Sequence, residues 1–242
     1  MSFFLMSQEM VLIGFYLITL VYSIIIHEVA HGIMALWLGD KTAQYAGRLN
    51  MNPMNHIDWF GSVILPLLLF LSKAGFIFGW AKPVPYNPYN LRDQKSGPLF
   101  VALAGPASNF LLAFLAALVA LLFPLRAFEK IDILRYFQLA AFQGGGWEAL
   151  ANNVAGSLPS ILFALLLMII SWNVILGCFN LVPVPPLDGS KILFFVFRMK
   201  EETVALFEQY GFIALLAIIL FFPYPISLFI NRTLGIFFGI AV

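Results

Sequence analysis

The chain has 242 residues, of which 62% are hydrophobic and 10% charged, with 26 phenylalanines. Its 13 Lys and Arg stand against 12 Asp and Glu, so neither a basic face for nucleic acid nor a solvated acidic tail is expected, and the composition points to an integral membrane protein. The lone cysteine, Cys178, excludes an internal disulfide and a thiolate zinc cluster and reads as a small apolar core residue.

Residues 1–10, MSFFLMSQEM, lack the basic start of a cleavable signal, so the first apolar segment is expected to remain in the mature chain. Residues 11–38 are apolar, free of proline and closed by Gly39-Asp40, long enough for a first membrane span. Inside it lies HEVAH, residues 27–31. An ionisable group in hydrocarbon costs at least ~2.5 kcal/mol, so these three side chains must face partners inside a bundle. His27 and His31 are four residues apart on a helix, so both rings point to one side and can grip one ion, with Glu28 between them. Two histidines and one further ligand hold zinc with a water in the fourth position, and a neighbouring glutamate can take a proton from that water. Counted at about 1.5 Å per residue, such an ion lies roughly 13 Å below the end of the span.

The next stretch, 55–80, has an apolar run of only about a dozen residues, holds Pro66, and then meets Lys73 and Gly75, too short for a crossing. It is expected to dip in and return or to lie along the interface. In GWAKPVPYNP, 79–88, Pro83, Pro85 and Pro88 forbid helix and favour extended backbone. If the N–H groups of Val84, Tyr86 and Asn87 are free, that edge can hold an unwound substrate by strand addition; a proline-stiffened interfacial loop is the competing reading. Residues 98–123 and 159–179 read as further spans, and 124–158 between them is too short and apolar for a separate soluble domain. Ser171, Trp172 and Asn173 read as packing residues of the third span. The tail, 211–242, is apolar but interrupted by Pro223, Pro225 and Arg232, giving one long span or two short ones.

A third ligand must come from elsewhere. Asp188 sits in NLVPVPPLDG, residues 180–189, an irregular backbone that membranes tolerate only where it is buried in protein or lines a wet cavity. His56 and Asp58 form the rival pair, in a segment rich in asparagine.

HEVAH followed by NLVPVPPLDG resembles the site-2 protease family of intramembrane zinc metalloproteases, defined by a His-Glu-x-x-His in one membrane helix and an Asn-x-x-Pro-x-x-x-x-Asp-Gly-like motif after a later one. GPASN, 105–109, resembles the family's Gly-x-x-x-Asn, and 79–88 resembles the loop of its compact bacterial and archaeal members. The resemblance covers the first ~190 residues and includes no inserted regulatory domain. It implies one Zn²⁺ per chain on His27, His31 and Asp188, and Glu28 as general base and later proton donor. Asn180 is implied as an oxyanion donor and Asn109 as a residue supporting the site or the substrate. Substrates in the family are single-span membrane proteins.

The expected fold is an all-α polytopic membrane protein of about four to six transmembrane helices, with a re-entrant or interfacial segment and a short extended loop near the site. It forms one domain, 1–242, with a catalytic core at about 10–190 and C-terminal spans beyond. For the histidines and Asp188 to share an ion, the 59–78 segment must contribute an even number of crossings. Lys41, Arg48, Lys82, Arg92 and Lys95 then share the face nearest the zinc, the cytosolic face of a prokaryotic plasma membrane by the positive-inside rule; Arg126, Lys130 and Arg135 count against it. A membrane metal transporter using the same site is the alternative function, but Glu28 between two histidines is better explained by catalysis. A di-iron oxidase ranks last, because the chain has only 3 histidines.

Overall fold

A computed structural model describes residues 2–72 and 79–242 and, among them, only helices, turns and extended loops. The first helix, α1 (Ser2–Trp37), ends where Gly39 adopts a left-handed φ of 113°. There Asp40 N–H bonds Ala35 O and Gly39 N–H bonds Leu36 O, a Schellman closure that satisfies the last carbonyls of the helix. A single turn, α2 (Thr42–Tyr45), follows.

The short apolar segment begins as π-helical turns over Trp59–Ile64 and continues as α3 (Leu65–Leu71). Lys73 and Gly75 lie outside the described residues. The return of the chain is nonetheless visible: Trp80 N–H bonds Gly61 O, Ser62 Oγ bonds Trp80 O, and a Cβ on Gly79 would lie 2.6 Å from Gly61 O. The segment therefore ends beside its own first turn, the even number of crossings that a shared ion demands.

Two central spans, α4 (Gly97–Leu121) and α7 (Leu158–Asn180), each start with proline in the first turn, where its missing N–H costs nothing. Small residues let them approach closely: Ala113, Ala116, Ala117 and Ala120 of α4 are buried in one apolar cluster with Phe163, Leu167, Met168 and Val174 of α7. Between lipid-solvated helices such contact and interhelical hydrogen bonding supply the association that the hydrophobic effect cannot. The connection between the spans folds into α5 (Ala127–Phe142) and α6 (Trp147–Val154) at the end away from the histidines. There Lys130, 4% exposed, donates its ammonium to the carbonyls of Ala120, Leu121 and Ala241. A cation at helix C-termini meets both the orphan carbonyls and the negative dipole end.

After α7 come α8 (Gly189–Val196), α9 (Glu201–Phe221) and α10 (Pro223–Ala241). The tail is thus two helices, and the first begins ten residues before the expected 211, because Glu201 and Glu202 occupy its first turn, where carboxylates suit the dipole. Among the described residues five helices, α1, α4, α7, α9 and α10, are long and apolar enough to cross a membrane. Thr233 of α10 meets Cys178 near the site end of α7, and Ala241 meets Lys130 at the far end, so α10 runs from the site end to the far end. Asp188 and the start of α10 both lie at the site end, so α8 and α9 together bring the chain back to it.

This arrangement puts the start of α1 and the end of α10 on one face and the 41–58 and 82–95 segments on the other. A topology reporter fused after Val242 and a second inserted at the exposed Gly47 turn are expected to report opposite sides of the membrane. The same side for both would contradict it.

Candidate metal centre

The 3.6-residue repeat stacks His27 and His31 on one face of α1, with ring centroids 4.6 Å apart and planes at 90°. Their Nε2 atoms are 3.1 Å apart. Asp188 Oδ2, carried by the proline-broken stretch after α7, lies 3.1 Å from His27 Nε2 and 3.4 Å from His31 Nε2. The three ligand atoms fall within 4.8 Å of one another, the grouping of metal-ligating side chains found among the described residues. The side chains are 7%, 13% and 18% exposed.

Both histidines give up their other hydrogen. His27 Nδ1 donates to Asn109 Oδ1 at 2.6 Å, and His31 Nδ1 donates to the Val101 carbonyl at 2.7 Å. With Nδ1–H spent in this way, each neutral ring presents a bare lone pair at Nε2. With both rings neutral, two lone pairs and a carboxylate oxygen face one another, and Asp188 Oδ2 is buried with no hydrogen-bond partner. Such a trio is repulsive unless a metal ion or a proton lies among its members. Ligands at about 2.0–2.1 Å on a tetrahedral zinc sit about 3.3 Å apart, close to the separations here, and a two-nitrogen, one-oxygen set leaves one position open. The residues present fit zinc.

The GPASN segment of α4 has two separate tasks. A Cβ on Gly105 would come within 2.5 Å of His31 Cε1 and 2.6 Å of His27 Cε1, so only glycine lets this helix lie against both rings. One turn on, Asn109 is fully buried; besides accepting from His27, its Nδ2 donates to Asn173 Oδ1 at 2.8 Å and to the Ser23 carbonyl at 3.3 Å. Asn173, which the sequence presents as packing, is thus hydrogen-bonded to the group that orients His27. Its signal was an amide, two turns before Asn180, in an otherwise apolar span. Trp172 does pack, its indole donating to Tyr16 O.

Glu28 Oε2 accepts the Val84 backbone N–H at 2.9 Å, which brings the extended loop over the site. Gly32 makes room for it, since a Cβ there would meet Val84 Cγ1 at 2.8 Å. The loop's N–H groups differ from expectation. Those of Trp80, Lys82 and Val84 all face inward, to Gly61 O, His56 O and Glu28, and Asn87 N–H bonds Asp40 Oδ2 at 2.7 Å. Val84 and Asn87 are therefore not free, because acidic side chains distant in sequence claim them, and on the opposite edge Pro83 and Pro85 have no N–H to offer.

The rival pair is not part of the His27, His31 and Asp188 grouping. His56 Nε2 donates to Asn50 O, and Asp58 caps the π-helical turns by accepting from Gly61 N–H. Asn180, at the end of α7, donates from its amide to Leu176 O at 3.0 Å.

A sequence model described as peptidase family M50 matches residues 15–222. The chain is 33% identical over 208 residues, 86% of its length and 80% of the relative's, to "Putative zinc metalloprotease YwhC" of Bacillus subtilis (strain 168). It is 32% identical over 93 residues, 38% of its length and 34% of the relative's, to "Putative zinc metalloprotease Rip2" of Mycolicibacterium smegmatis. No solved structure matches.

Gly105→Ala pushes a methyl into both imidazoles, so zinc affinity measured by chelator competition is expected to fall on the order of 10-fold or more; wild-type affinity would show that the rings are not confined as described.

Asp40 fastens the loop. Burial works to raise its carboxyl, but hydrogen bonds from the Thr42 hydroxyl, Asn90 and the N–H groups of Asn87 and Thr42 outweigh this, so it titrates below its ordinary 3.8. A depressed folded value means the stabilisation is present above 3.8 and lost as pH falls from there through the folded value. The melting-temperature gap between wild type and Asp40→Asn is therefore expected at neutral pH and should close in acid; a gap independent of pH would contradict this role.

Proposed function

The chain belongs to peptidase family M50, the site-2 proteases, and is a multi-pass membrane zinc metalloprotease; from that premise we propose that His27, His31 and Asp188 hold its zinc and that Glu28 is its proton-transfer group. The observation that carries this reading is the convergence of two bare Nε2 lone pairs and an unpaired carboxylate oxygen on one point.

Zinc, when bound, polarises a peptide carbonyl and makes water a nucleophile near neutral pH. Glu28 follows His27 directly in α1, at the edge of the trio. Val84 N–H fixes one carboxylate oxygen, Oε2, and so aims the other. That oxygen takes a proton from the attacking water as the new C–O bond forms, then delivers it to the amine nitrogen as the C–N bond breaks. Asn109, fully buried and bonded to His27, acts on the ring rather than on substrate. Asn180 lies at the site end of α7 and spends one amide hydrogen on Leu176 O, leaving the second for the oxyanion of the tetrahedral intermediate.

The family acts on membrane proteins; single-span proteins are the substrates we assign, since a lone helix is the simplest to unwind beside an ion sunk in a bundle. The whole of 1–242 forms one catalytic domain, supported by the apolar cluster that α1, α4, α7 and α10 share. The site faces the cytosol of a prokaryotic plasma membrane. Lys41, Arg48, Lys82, Arg92 and Lys95 gather at that end, and Lys130, an opposing charge at the far end, is buried against carbonyls.

Glu28→Gln is expected to retain zinc while losing cleavage of co-expressed single-span proteins by about 10²-fold or more. Cleavage at the wild-type rate would remove Glu28 from the chemistry.

A further inference from the structure

We propose that Asn173 and Ser23 are positioning residues of the metal centre, which decide the tautomer of His27 by fixing which end of the Asn109 amide meets it. The inference rests on the reading of His27 as a zinc ligand.

An asparagine amide has two ends of nearly equal shape, one a pure acceptor and one a pure donor. Asn109 presents its oxygen to His27 Nδ1 at 2.6 Å, which places the ring hydrogen on Nδ1 and leaves Nε2 bare for the ion. Turned over, the same amide would present N–H to Nδ1; the ring hydrogen would move to Nε2 and point at His31 and Asp188. No shape constraint separates the two arrangements, so a chemical one must.

That constraint comes from backbone carbonyls, which can only accept. Asn173 Nδ2 donates to Ile169 O at 2.9 Å and to Ser23 Oγ at 2.8 Å, so turning Asn173 over would set its oxygen against a carbonyl. Its own oxygen must therefore face Asn109, whose Nδ2 it accepts at 2.8 Å. The Ser23 carbonyl, at 3.3 Å, repeats the demand on Asn109 from a second direction. Polarity thus runs one way, from the Ile169 and Ser23 carbonyls through Asn173 and Asn109 to the imidazole. Asn109 and Asn173 are fully buried and Ser23 is 2% exposed, so no bulk water can satisfy a reversed amide. Helices α1, α4 and α7 each supply one of these side chains. An amide that only glued helices together would need partners; this one also needs a direction.

The test uses the full-length purified chain loaded with zinc or with Co²⁺ as a spectroscopic probe. Asn173→Leu is expected to weaken zinc about 10- to 100-fold by chelator competition, as loss of a group that orients a ligand does, and to change the visible cobalt spectrum. Ser23→Ala removes a hydroxyl that can donate as well as accept and keeps the Ser23 carbonyl, so it is expected to shift both by less than Asn173→Leu. A purely structural role would lower the melting temperature and leave metal affinity and spectrum alone. Wild-type affinity and spectrum in a folded Asn173→Leu overturn the proposal. If that variant fails to fold, wild-type affinity and spectrum in Asn173→Ala, which removes the same amide with less bulk, overturn it instead. His27→Ala separates the two levels of the argument: retention of tight zinc there defeats the metal-centre reading itself, whereas its loss beside an unaffected Asn173→Leu defeats only this inference.

Discussion

Two imidazole lone pairs and a carboxylate oxygen, crowded within 4.8 Å inside a bundle of apolar helices, form the constraint on which the rest of this molecule turns. Without a cation the trio repels itself, and with one it needs every ring turned the right way. Much of the surrounding structure follows from that. The Val101 carbonyl and the Asn109 amide take the outward hydrogens of the rings, Gly105 stands aside for them, and the helix after Asn180 breaks so that Asp188 can come down to meet them. The break itself is sterically committed: a Cβ on Gly189 would lie 2.3 Å from Leu181 O.

An ion shared by His27, His31 and Asp188, as proposed, would also dictate the path of the chain. The helices that carry its ligands must open at the same end, which forces the intervening segment to return to its start, and Trp80 pairing with Gly61 is how it does so. The loop that follows is then delivered to the site already extended, pinned to His56 O, to Glu28 and to Asp40 in turn. Later in the chain α8 and α9 obey the same demand, bringing α10 back to start at the site end. Pro185 seats α9 there: a Cβ on Gly211 would meet its Cβ at 2.4 Å, so the helix lies directly on the proline loop that carries Asp188.

What could be read in advance was the grouping with a strict spacing. His27, Glu28 and His31 are legible because a helix has one geometry, and Asp188 because irregular backbone in a membrane needs a reason. The shortness of 59–71 and its Pro66 announced the return. The start of α9 was obscured because Glu201, Glu202 and Glu208 dilute the apolar signal, although carboxylates are at home in a first helical turn. The fate of the Val84 and Asn87 N–H groups was not legible at all, since it depends on Glu28 and Asp40, which are near only in space. Asn173 fell between these cases. An amide in a span declares that it has partners, but nothing in a linear sequence declares which end of it points where.

The prolines of the 79–88 loop carry one more consequence, for behaviour in a crowded bilayer. An extended segment with an open edge invites pairing with the same segment of another copy, and proteins blunt such edges to avoid self-association. Here one edge is consumed by inward hydrogen bonds, and on the other Pro83 and Pro85 interrupt the row of donors that a second strand would need in order to zip alongside. The loop can remain stretched out beside a reactive centre and still be a poor template for aggregation.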